Sequence, residues 1–271
     1  MARKIIFIVT VAVFLFSTTM VIKHQVEMRI GAKQAEAIIQ MVVSPVSIQD
    51  ETTGQIISAP TLKQSESEKA EKPNDEPTAF APIQVDFDAL FTKNQDVVAW
   101  LYCPDTPINY PVVQSSDNNY YLRRLLDGSY NSAGTLFLDY RNAEDLSNWN
   151  SVIYGHNMKN DSMFGTLPDY KTPSYFQEHP EMFLLTPEQD YSIQLLAGFT
   201  TPASSELYSS FAPDAAEATR LIESWIRNSD FVSKIQPTAE DHLITLSTCS
   251  YEYDNARYVL IGILKECRSQ E

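Results

Sequence analysis

Residues 242–264 read HLITLSTCSYEYDNARYVLIGIL. Two apolar runs rich in β-branched residues, 242–248 and 258–264, flank a polar turn at 251–256. That pattern predicts two strands joined by a turn. Cys249 stands where the first run gives way to polar residues, and Arg257 opens the second. A tight connection would bring the guanidinium back beside the thiol.

Working outward, similar short runs bounded by turn residues occur at 97–102, 108–113, 134–138, 151–154, 182–185 and 191–199. With the final pair they make eight candidate strands at uneven spacing, and predict a mainly β domain, a mostly antiparallel barrel or sandwich. Three helices are expected among them. Residues 86–94 place Phe87, Leu90 and Phe91 on one face, with Asp86 as N-cap. Residues 118–126 place Tyr121, Leu122 and Leu125 on one side, and 213–227 carry Ala218, Leu221, Ile222 and Trp225.

The chain has 271 residues and a formal net charge of −15. An acidic chain lacks the basic surface that phosphate binding requires, which argues against nucleic acid as a partner. The charge divides by region: +3 over residues 1–42, −4 over 43–82 and −14 over 83–271. The division suggests an anchor, a linker and a domain.

Arg3 and Lys4 precede residues 5–22, IIFIVTVAVFLFSTTMVI, which carry no charge. As a helix that run spans roughly 27 Å, close to a hydrocarbon core of about 30 Å. Positive charge before it predicts an N-terminus inside the cell and the rest of the chain outside. A cleaved signal peptide is the competing reading, since the densest apolar run ends at Phe16. No A-x-A-like cleavage site follows it, and apolar character resumes at residues 20–22. These features favour a membrane anchor over residues 1–22. Residues 23–43 continue as a helix expected to stand the chain off the surface. The stretch 44–82 turns to Ser, Thr, Glu, Lys and Pro, the composition of a flexible linker. The domain is expected to begin at residue 83 and to fold without the anchor.

Three Cys are too few for a disulfide scaffold, and an odd number leaves one thiol over. Cys103 follows the first strand and Cys267 the last, so a bond between them is conceivable, although spacing alone does not supply the required separation. Cys249 is the informative thiol. Outside the cell an unpaired thiol is exposed to oxidation, which gives it a reason to be functional. A Cys nucleophile needs a nearby base or cation. His156 stands in Tyr154-Gly155-His156-Asn157, where another strand runs into a polar loop, whereas His179 and His242 sit in less telling positions. Arg257 can donate to a developing oxyanion.

These residues resemble the sortases, membrane-tethered cysteine transpeptidases of Gram-positive bacteria, and class B most closely. The likeness runs through residues 84–266. It includes Tyr110-Pro111-Val112-Val113-Gln114, Asp117-Asn118 with Tyr121-Leu122, Gly134-Thr135-Leu136-Phe137-Leu138-Asp139, Tyr154-Gly155-His156-Asn157-Met158, Met163-Phe164-Gly165 and Thr245-Leu246-Ser247-Thr248-Cys249. The resemblance implies an eight-stranded sortase barrel with an N-terminal helix and a long helix between strands six and seven. It makes Cys249 the nucleophile, His156 the acid/base partner and Arg257 the oxyanion or substrate-positioning group. It also suggests that Tyr154, Leu136 and Ser247 line the substrate groove. The implied partners are secreted proteins with a C-terminal sorting signal, NPxTN-like or NPxTG/SPxTG-like, and a peptidoglycan amine. Pilin polymerisation is the alternative within the family.

Other readings fit less well. A papain-like protease places Cys before His, and this order is reversed. The 245–250 segment lacks the Ser/Gly-rich signature of a cysteine L,D-transpeptidase. No C-x-x-C or H-x-x-x-H pair suggests zinc, and no EF-hand spacing suggests calcium, so no cofactor is expected. A non-enzymatic surface module would leave Cys249, His156 and Arg257 as coincidence.

Overall fold

The computed structural model of the chain describes residues 2–49, 56–58, 80–208 and 213–268. Eight strands close into a barrel: β1 (Val97–Tyr102), β2 (Asn109–Val113), β3 (Leu136–Leu138), β4 (Asn150–Tyr154), β5 (Glu181–Leu185), β6 (Asp190–Pro202), β7 (Leu243–Cys249) and β8 (Ala256–Glu266). Around the wall the order is β6-β8-β7-β4-β3-β2-β1-β5. Neighbours run antiparallel except β2 with β3 and β4 with β7. All eight expected strands are present within a few residues of their predicted ends.

The period of two along each strand sorts the core. On β8, Tyr258, Leu260 and Leu264 point into the barrel with Leu101, Ile153, Leu184 and Leu246. Val259, Ile261 and Ile263 of the same strand point outward, under helix α4 (Ala215–Arg227, numbered after the three helices described next). That helix presents Ala218, Ile222 and Trp225 at helical spacing, and Asp214 caps it by accepting from the Glu217 N–H.

The N-terminal helix α1 (Ala2–Val42) and the short α2 (Phe87–Phe91) cover another face. Val42, Ile83, Leu90, Trp100, Val113, Leu126 and Phe137 form the apolar layer between them and the barrel. Asp86 caps α2 as expected, accepting from the Ala89 N–H at 2.9 Å. The C-terminal half of α1 is thus not a free stalk. Met28 and Ala35 pack against the barrel core, Ile38 and Ile39 against the outer layer. Beyond the helix, Val43–Pro45 pairs antiparallel with Ile83–Val85. Of the expected linker, Ser47–Gln49 and Ile56–Ser58 pair with each other, while residues 50–55 and 59–79 lie outside the described residues.

Residues 118–126 depart from the helix expected there. Only one 3₁₀ turn forms, Tyr121–Arg123. The Tyr121 and Arg123 carbonyls accept from Thr135 and Asn131 instead of from the next helical turn. Tertiary partners outcompete local propensity here. Two elements escaped the sequence reading, a 3₁₀ turn at Leu167–Lys171 and helix α3 (Pro173–Glu178). Both are too short to show helical periodicity.

Candidate active site

Strand β7 ends at Cys249, and its antiparallel register with β8 sets Arg257 directly opposite. On the other side β7 runs parallel to β4, with Ser247 level with Tyr154. The two strands stay joined beyond the ladder. The Gly155 N–H donates to the Ser247 carbonyl at 3.1 Å, the Thr248 hydroxyl to the Gly155 carbonyl at 2.8 Å, and the Asn157 amide to the Cys249 carbonyl at 2.9 Å. His156 is carried along between these contacts. Cys249, His156 and Arg257 are each partly exposed at one end of the barrel, above the buried Ser247 and Thr248.

Gly155 has no alternative at its position. A Cβ there would lie 2.5 Å from Leu136 Cδ2 and 2.6 Å from Phe164 Cδ2. The missing side chain lets the strand end press onto the core and fixes the start of the His156 loop.

His156 Nε2 lies 2.7 Å from the Leu122 carbonyl oxygen. A carbonyl only accepts, so Nε2 carries a proton and Nδ1 is the nitrogen left to exchange one. The Arg257 guanidinium donates to the Ala256 carbonyl at 3.0 Å and, among the described residues, forms no ion pair with a carboxylate. An uncommitted guanidinium beside a thiol, in a domain with so many acids, is placed to meet an oxygen of another molecule.

Tyr208 joins the site without having been anticipated. Its hydroxyl lies 2.8 Å from Ser247 Oγ, and its ring stacks on Tyr154 with centroids 6.1 Å apart. Burial pushes the phenol up to about 12 against the opposing effects of the Ser247 hydrogen bond and the Arg257 charge. It therefore remains a neutral hydrogen-bonding group at physiological pH. The residue sits in a single 3₁₀ turn, Glu206–Tyr208, which leaves no periodic signal. Asn150 holds that turn by donating to the Leu207 carbonyl.

The three residues expected along a groove occupy different depths. Tyr154 is partly exposed and donates through its hydroxyl to Asp139 Oδ2 at 2.9 Å. Ser247 is nearly buried beneath Tyr208. Leu136 is fully buried under Gly155, so it supports the floor of the site from behind and presents no surface to a groove. The other two thiols are remote from this chemistry. Cys103 and Cys267 are buried and unbonded, and no disulfide links them. Among the described residues no group of three or more His, Cys, Asp or Glu could hold a metal ion.

Comparison with known proteins places these features. The family profile described as Sortase domain matches residues 101–265. Sortase B of Listeria monocytogenes is 34% identical over 173 residues, covering 63% of this chain and 70% of that protein. The crystal structure of Staphylococcus aureus Sortase B superposes with a TM-score of 0.64 at 26% identity, covering 67% of this chain and 87% of that one. Two further structures of the Staphylococcus aureus enzyme, one a substrate complex and one a complex with triglycine, superpose with TM-scores of 0.63 at 26% identity. Each covers 66% of this chain, and 84% and 85% of those chains respectively.

Proposed function

Because this chain belongs to the sortase family, in class B, and is therefore a cysteine transpeptidase, we propose that its reaction runs through Cys249, His156 and Arg257 on a C-terminal sorting signal. The single observation that carries the assignment is the register that sets Arg257 opposite Cys249, on a strand end tied to the His156 loop.

The Cys249 thiolate attacks the carbonyl of the Thr in the signal. The resulting oxyanion is met by the Arg257 guanidinium. His156, as imidazolium, protonates the leaving amine through Nδ1, and the C–N bond breaks to leave a thioacyl enzyme. The neutral imidazole then takes a proton from the incoming amine as that amine attacks the thioester. Thiolate and imidazolium must coexist for the first step, so the rate falls at both pH extremes.

The Staphylococcus aureus complexes with substrate and with triglycine support a peptide donor and an amine acceptor of this kind. The signal is NPxTN-like or NPxTG/SPxTG-like, and the acceptor is a cell-wall peptide amine. Among the described residues, one helix, near the N-terminus, is long and apolar enough to cross a membrane. It supports an anchored enzyme with its N-terminus in the cytoplasm and its catalytic domain outside.

Mass spectrometry of the enzyme incubated with a sorting-signal peptide tests the reading. A covalent acyl adduct on Cys249 is expected, absent in Cys249→Ala. Normal peptide cleavage by Cys249→Ala would overturn it.

A further inference from the structure

We propose that the turn around Tyr130 and Arg123 is a foot by which the catalytic domain stands on an anionic lipid surface. The inference rests on the reading of α1 as the membrane anchor, and it starts from one contact. Asn131, only 1% exposed, donates through its side chain to the main-chain carbonyl of Glu27 on α1 at 2.7 Å. Its own side-chain oxygen accepts from the Ala133 N–H, and its main-chain N–H donates to the Arg123 carbonyl. Gly31, one helical turn further along α1, is buried against the same Asn131 side chain. The turn is therefore fixed at a known position along the helix.

That position lies close to the bilayer. The uncharged run of α1 ends at Ile22, and α1 continues without a break to Val42. Glu27 is five residues further on, which at about 1.5 Å per residue is a rise of roughly 7–8 Å. The polar headgroup layer of one leaflet is itself about 5–8 Å deep. Asn131 thus sits at the outer edge of that layer. Its neighbour Tyr130 is 58% exposed.

What surrounds the contact suits lipid and not water. Val26 and Ile30, beside Glu27 on α1, are 48% and 53% exposed. Lys23, Arg29 and Arg123 are exposed cations at the same level. The acid among them, Glu27, is mostly covered and pairs with Lys23 at 3.8 Å. Asp127 lies further from the bilayer, at the level of Gln34. A domain of net charge −14 would be repelled by anionic headgroups, but this rim is locally cationic. An exposed tyrosine and short apolar side chains among cations form the composition of an interfacial contact.

The foot is continuous with the site. Arg123 follows Leu122, whose carbonyl accepts from His156. A domain held this way would present its nucleophile at a fixed, small distance above the leaflet, where membrane-held donor and acceptor substrates both arrive.

The test uses the full chain in vesicles of mixed phosphatidylglycerol and phosphatidylcholine. A fluorophore is attached in turn at Tyr130→Cys, Val232→Cys and Phe14→Cys, each in a Cys249→Ala background. Val232 adjoins Phe231, which packs beside Gly198 on the wall of the barrel away from α1. Quenching by lipids carrying a nitroxide near the headgroup should be several-fold stronger at position 130 than at 232. It should weaken when Arg123→Glu is added. Equal, weak quenching at 130 and 232, with strong quenching at position 14 by deep nitroxides, would overturn the foot and leave the anchor standing. Loss of quenching at position 14 would overturn the anchor reading and the foot together.

Discussion

The side-chain amide of Asn157 donates to the main-chain carbonyl of Cys249 across 2.9 Å, joining the loop of the acid/base residue to the strand of the nucleophile. The bond leaves the thiol free and fixes the backbone on which it rides. Asn157→Ala is expected to cost about 1 kcal/mol of stability, the scale of one neutral hydrogen bond. The rate of acyl-enzyme formation should fall further than that, by about 10-fold or more, because misplacement of reacting groups is penalised steeply. Stopped-flow acylation compared with thermal unfolding separates the two effects.

Gly155→Ala forces a methyl into Leu136 and Phe164. We expect a destabilisation of about 1–3 kcal/mol from overpacking, together with a loss of activity as His156 shifts. Adding Leu136→Ala should recover part of both, since the two side chains compete for one space. A double-mutant cycle on unfolding and turnover reads the coupling; strict additivity would show that the clash lies elsewhere.

Thiol reactivity should be selective. Burial pushes the Cys103 thiol up to about 11 and the Cys267 thiol to about 12, and neither is accessible. Cys249 is partly exposed. Native protein is expected to take up one equivalent of a thiol reagent and the denatured protein three, counted by intact-mass measurement.

Asp139 makes part of the stability pH-dependent. Burial alone would raise its carboxyl, but hydrogen bonds from Arg141 and Tyr154 and the Arg141 charge outweigh burial and hold it below the usual carboxylate range. A group depressed in the folded state stabilises above its unfolded value, about pH 4, and loses that contribution as the pH falls through the folded value. Asp139→Asn should therefore cost about 1.5–3 kcal/mol at neutral pH, the scale of charge-assisted hydrogen bonds. The gap in melting temperature between the two proteins should narrow progressively below about pH 4. A gap that stays constant on acidification would assign the loss to packing.

A protein beginning at Ala81 removes the strand Val43–Pro45 and the apolar face of α1. Ile83, Leu126 and Val113 then lose cover. Compared with a protein beginning at Lys23, it should unfold more easily by more than about 2 kcal/mol, the scale of exposing one or two large apolar side chains. Equal urea midpoints would show that the helix contributes nothing to the barrel.

The strands were legible because most of the barrel wall is made of short β-branched runs ending in turns, and because Cys249 and Arg257 flank one such turn. Lateral contacts were not. Tyr208 reaches Ser247 from a three-residue turn distant in sequence, and Leu122 meets His156 through a main-chain oxygen that no side-chain pattern reports. Leu136 was assigned to a groove because the resemblance carries identity at a position but not depth; its strand alternation turns it inward beneath Gly155. The second half of α1 read as a spacer because Met28, Ala35, Ile38 and Ile39 are too few for a strong amphipathic pattern, yet they are the residues that dock.

The pairing of Val43–Pro45 with Ile83–Val85 has one more consequence. The Val46 N–H donates to the Pro82 carbonyl, and the Asp86 N–H to the Val42 carbonyl. The two ends of residues 46–82 are thereby knotted at a common neck. That stretch is a detour in the chain and not a tether, so its length does not set how far the barrel can travel from α1. Closing a longer detour costs only about 0.6 kcal/mol per doubling. Residues can be added, deleted or cut within it while the reach of the catalytic centre from the helix stays constant. The segment is free to diverge in sequence and length without recalibrating the enzyme.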